Sequence, residues 1–182
     1  MKILIILLLS LSVYANVKQE MFNLYQNKQF SAVCVKGLNA FSSNKNDEEF
    51  LSMYSFSCLY SDYIDRLAVP IIMMKHSKEA RANAAYFSVI LMQKKLLFHA
   101  LLDNYDLSNL KLPTTDYVLS KVFDLYLKLG KHKPKEYYLF QDESDKKTTY
   151  KLYIQRSNNK KNDKVILDEF HNTKRIKHHV YW

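Results

Sequence analysis

At 182 residues the chain accommodates one ordinary domain plus a small appendage. It has only two glycines, Gly37 and Gly130, and three prolines. That scarcity excludes Gly-rich phosphate-cradling loops and disfavours folds made of many tight turns. The net charge of +9 is unevenly spread: residues 128–182 carry 14 Lys/Arg against 7 Asp/Glu, and residues 16–127 carry 12 against 11.

The first residues read as a targeting segment. Met1-Lys2 is a positive start, Ile3 to Leu11 is apolar, and Val13-Tyr14-Ala15 supplies small residues at the −3 and −1 positions of a cleavage site. The apolar run is well short of the ~20 residues needed to span a bilayer. The expectation is a cleaved secretory signal over 1–15, a mature chain from Asn16 and a periplasmic location. No second span is expected, because the run Leu67 to Met74 is short and contains Pro70.

Helical hairpins are expected next. In LYQNKQFSAV (residues 24–33) an apolar stretch breaks at Gln26–Gln29 and resumes at Phe30. One constant shift carries Leu24 to Cys58 and Met92, Phe30 to Ile64 and Phe98, and Val33 to Leu67 and Leu101. Three helix pairs follow: Val17–Tyr25 with Phe30–Phe41, Asp47–Tyr60 with Ile64–Lys75, and Lys78–Gln93 with Leu96–Asn104. The break at Lys94-Lys95 is weak, and one helix over 78–104 is the alternative. Asn46, with Glu49 three residues on, is the expected N-cap of the second pair. Pro70 should kink or delay its helix. Cys34 and Cys58 fall at the same level of antiparallel helices, so a disulfide that fastens the first hairpin to the second is geometrically plausible in an exported chain. Two buried thiols are the alternative.

Asp116–Leu129 reads as an amphipathic helix, capped by Thr114 or Thr115 and stopped at Gly130. It would close the apolar end of the helical stack. Beyond Pro134 the period changes to two: Tyr137–Phe140, Thr149–Gln155, Val165–Leu167 and Ile176–Tyr181 are candidate strands of an antiparallel meander. Its alternating aromatics either pack on the preceding helix or form an edge that pairs with a partner strand. The expected fold is therefore mainly α, about three hairpins plus a capping helix, with a small antiparallel β module. The expected domains are 16–130 and 131–182.

The period and the LYQNKQFSAV shape resemble a degenerate tetratricopeptide repeat (TPR) over about residues 17–105. Tyr25 closes helix A, Phe30 opens helix B and Val33 is the small residue after it, while the repeat-ending proline is absent. The resemblance implies a concave groove lined by A helices, in which Glu20, Asn23, Ser57 and Ser61 face a partner. In build the chain is also similar to small periplasmic helical-repeat components of bacterial envelope machines, including scaffolds around some flagellar motors.

Catalytic chemistry finds no motif. There is no G-x-S-x-G, both cysteines lie on apolar helix faces, and the acids Asp142, Glu143 and Asp145 read as a solvated turn. His178 and His179 are adjacent on a strand and point to opposite faces, so they cannot share a metal. No cofactor or metal is expected. The basic candidates for partner contact are Lys146, Lys147, Lys151, Arg156, Lys160, Lys161, Arg175 and Lys177. The expected partners are periplasmic or envelope proteins, with peripheral contact to an anionic envelope surface as an addition and no nucleic acid. A cell-wall-acting enzyme or its accessory, and a module that binds anionic surfaces, are the alternatives.

Overall fold

The computed structural model describes residues 17–158 and 162–181. The expected signal segment, 1–15, and the candidates Lys160 and Lys161 lie outside the described residues. Two compact units form, one ending at Ala84 and the other starting at Ala85. The chain is mainly α with a small antiparallel sheet at its C-terminal end.

In the first unit, α1 (residues 17–26) and α2 (Phe30–Asn44) form one hairpin. Then α3 (Glu48–Tyr60) and a 3-10 turn (Ile64–Leu67) leading into α4 (Ala68–Met73) form the second. The two bends repeat in their chemistry as well as in their position. Lys28 and Asp62 both take left-handed φ values, 56° and 65°. The Gln29 N–H donates to the Leu24 carbonyl at 2.9 Å, and the Tyr63 N–H donates to the Cys58 carbonyl at 2.9 Å. Asp47, one residue after the expected Asn46, caps α3 by accepting from the Glu49 and Phe50 N–H groups at 3.0 Å each. Pro70 delays the α-helix as expected: the 3-10 turn comes first, and Pro70 lies in the first turn of α4, where its missing N–H costs little.

Three features hold this unit together. Cys34 and Cys58 are joined by a disulfide, with their Cα atoms 4.8 Å apart, and it links α2 to α3. Gly37 sits where helices meet: a Cβ there would overlap the Tyr54 ring and fall 3.1 Å from the Met21 methyl. The Glu48 carboxylate accepts the Lys75, His76 and Ser77 N–H groups at 2.6–2.8 Å. Ser77 in turn accepts the Ala80 N–H at the start of α5 (Lys78–Asp103).

The third expected hairpin does not form. Residues Lys78–Asp103 are one continuous helix, the alternative reading. Lysine is a good helix former that keeps its backbone N–H, and neither Lys94 nor Lys95 takes the left-handed φ that Lys28 and Asp62 supply at the two bends. Lys94 is instead 1% exposed, with its ammonium 5.8 Å from the Phe98 ring. By length and composition α5, rather than the Leu67–Met74 run, is the described helix able to cross a membrane; a third of that stretch is buried within the fold.

The second unit contains the rest of α5, α6 (Val118–Leu127) and strands β1 (Tyr137–Gln141), β2 (Thr148–Gln155), β3 (Lys164–His171) and β4 (Lys174–Tyr181). Helix α6 starts two residues later than expected. No side chain caps it, so neither Thr114 nor Thr115 does, and the Thr115 N–H donates to Ser120 Oγ at 2.8 Å. Gly130 takes φ 61°, two residues beyond the C-cap Lys128. The strands form an antiparallel meander in the order β1-β2-β3-β4.

Register assigns the two faces of the sheet. Tyr138, Leu152, Leu167 and His179 are successive cross-strand partners on the inner face, with Phe140 and Tyr150 beside them. Helix α6 lies against this face: the Tyr126 ring is 5.0 Å from Tyr138 edge-on, and the Tyr117 hydroxyl is 3.3 Å from that of Tyr181. The alternating aromatics of β1 and β2 thus do pack on the helix that precedes the sheet.

Candidate functional site

The outer face of the sheet carries a cluster of polar and aromatic groups. Cross-strand pairing sets Leu139, Lys151, Asp168 and His178 in one row and Tyr137, Tyr153, Ile166 and Val180 in the next. Lys151 extends between two rings, its ammonium 4.7 Å from the Tyr137 centroid and 5.1 Å from that of Tyr153. Each such contact at an exposed site is worth about 0.5–1 kcal/mol. The two rings thereby hold the half-buried Lys151 cation beside its cross-strand partner Asp168.

Asp168 organises the next position. It is 4% exposed and accepts from His178 Nδ1 at 2.6 Å, with the Tyr153 hydroxyl at 3.3 Å and Arg175 at 3.5 Å. Burial, followed by the Asp168 charge, pushes the Tyr153 phenol upward, which keeps it protonated as a donor. On the inner face His179, 1% exposed, meets Glu169 at 2.7 Å, and this hydrogen bond holds the Glu169 carboxyl below its usual range. The adjacent histidines thus serve adjacent carboxylates on opposite faces, as strand alternation requires.

Of the basic candidates, Lys151 and Arg175 share the outer face. Lys146 and Lys147 are exposed in the β1–β2 turn. Arg156 reaches the buried Asp163 at 3.4 Å just past β2, and Lys177 is exposed opposite Glu169. Among the helical candidates Glu20 pairs with Lys36, Asn23 is exposed and accepts from Gln19 at 3.1 Å, and Ser61 ends α3. Ser57 does not face a partner: it is 0% exposed and its hydroxyl donates to the Met53 carbonyl at 2.7 Å, because that phase of α3 is the core phase.

Tyr137, Tyr153 and Asp168 were not singled out by the sequence, and His178 was weighed there only as a metal ligand. Alternation placed each on a strand face, but bringing them together needs cross-strand register, which the turn lengths decide.

A cavity of about 140 Å³ lies beside His132, Tyr126 and Tyr138. The Gly130 carbonyl can only accept, so His132 Nδ1 carries the proton at 2.7 Å, and Nε2 accepts from the Tyr138 hydroxyl at 3.1 Å. Both ring nitrogens are therefore occupied by the fold, and neither is presented to a substrate proton. Burial, with the hydrogen bond to Tyr138, pushes the Tyr126 phenol well above its ordinary range. Among the described residues no group of three or more His, Cys, Asp or Glu side chains could hold a metal ion. No family model, curated protein or solved structure matches the chain.

Proposed function

We propose that this is a non-enzymatic interaction protein of the periplasm. In this reading it is exported by the segment 1–15, and it docks onto an envelope-spanning assembly through the outer face of its C-terminal sheet. The TPR-like hairpins are its rigid part. The observation that carries the reading is the half-buried Lys151 held between Tyr153 and the exposed Tyr137 on a module rich in Lys and Arg. Tyrosine and arginine are residue types enriched at protein interfaces, and Tyr137, Tyr153 and the exposed Arg175 share this face with Lys151. The Cys34–Cys58 bond supports an oxidising compartment. The narrower reading, a periplasmic scaffold of a flagellar motor, rests on the resemblance in build.

Cross-linking and recovery from intact cells test this proposal, comparing the natural chain with Lys151→Glu. The expected result is one envelope assembly recovered with the natural chain and lost with the variant. Equal recovery from both, or none from either, contradicts it.

A further inference from the structure

The two long edges of the sheet are built differently. Along β4, Lys174, Arg175, Lys177 and His178 are exposed, and the pairing with β3 shifts register between Glu169 and Phe170. Charges and bulges of this kind keep another strand from pairing. Strand β1 has neither: Tyr137–Gln141 has no charged side chain and pairs with β2 without a register shift. Tyr137 is 46% and Leu139 64% exposed on its outer side, and a groove of about 410 Å³ beside it is bordered by Leu129, Lys135 and Glu136.

Charge selects the occupant. Lys133 and Lys135 are exposed where the chain enters β1 and form no ion pair among the described residues. Lys151 is the cross-strand neighbour of Leu139. Glu136 is the one acid at the entrance. The acids beyond the exit are already used: Asp142 accepts from Ser144 and Tyr150, and Glu143 pairs with Lys128 at 2.6 Å. A second copy fits less well, because it would bring together two segments that each carry 14 Lys/Arg against 7 Asp/Glu.

We propose that β1 is a docking edge that takes an extended segment of a partner protein as a fifth strand. That segment alternates apolar and polar side chains, and its acidic residues lie against Lys133 and Lys135. Backbone pairing supplies affinity, and the cationic entrance sets direction and preference. The inference rests on the interaction reading above but is tested separately, with purified protein and no cellular partner.

The test is fluorescence anisotropy on the chain from Asn16, with a short labelled peptide of alternating Val and Thr that ends in glutamates. Its controls are the same peptide ending in lysines, and two versions N-methylated at either alternate set of residues. The acidic peptide should bind in preference to the basic one, and one of the two methylated sets should weaken binding roughly tenfold or more, because only one set of N–H groups faces β1. Leu139→Lys should weaken binding, and Lys133→Glu with Lys135→Glu should reverse the preference toward the lysine peptide. That gain of binding would show the variant to be folded. Equal binding of both peptides, or tolerance of both methylated sets, overturns the proposal. Dimerisation of the protein that Leu139→Lys abolishes, without peptide binding, overturns it in favour of a second copy. If the peptides fail while recovery from cells still depends on Lys151, only this inference is lost.

Discussion

Gly37 and Glu48 show how single residues set the geometry of the first unit. A glycine inside a helix costs roughly 1 kcal/mol relative to alanine, so Gly37→Ala on an isolated helix should stabilise. In the fold the added methyl would overlap the Tyr54 ring, within the interface of packed helices. Overpacking of this kind costs about 1–3 kcal/mol, so Gly37→Ala is expected to lower the denaturant midpoint despite its better propensity. Glu48 works through charge. The His76 N–H foremost, with Ser77 and Lys75, holds its carboxyl down at about 2. A depressed folded-state value adds stability above the ordinary range near 4.5, and that stability is lost as pH falls through about 2. Denaturant titrations at stepped pH should therefore show a steeper acid loss in the natural chain than in Glu48→Gln. Parallel acid limbs would contradict the assignment.

At the scale of elements, the hairpin is the unit that the sequence made legible. The break at Gln26–Gln29 is a bend, and its hydrogen bonds recur one period later at Asp62 and Tyr63. The bend was readable because polar residues interrupt an apolar period there, whereas Lys94-Lys95 interrupts the period without breaking the backbone. The cap was missed by one residue, since Asn46 and Asp47 are both good caps and only the backbone decides which side chain reaches the Glu49 N–H. The strands were legible from alternation, but the outer-face cluster was not, because it depends on register. The disulfide spans 24 positions and links the two hairpins. Closing such a loop is worth about 3 kcal/mol. Reductant should lower the thermal midpoint of the natural chain and leave a Cys34→Ala, Cys58→Ala variant, already lower, unmoved.

At the scale of the molecule, the chain divides by charge. Charge is nearly balanced up to residue 127 and strongly positive after it. The positive part includes a sheet with one face packed on α6 and the other presenting Lys151 between two tyrosines. In the proposed role, this outer face and the adjoining β1 edge meet an envelope protein. Photo-cross-linking in intact cells tests that role most directly, with a light-activated residue at Leu139 and, as a control, at Ile72, which is 76% exposed in the other unit. A discrete adduct with an envelope protein is expected from position 139 and none from position 72. Adducts of the same kind from both positions, or from 72 alone, would contradict the proposed role.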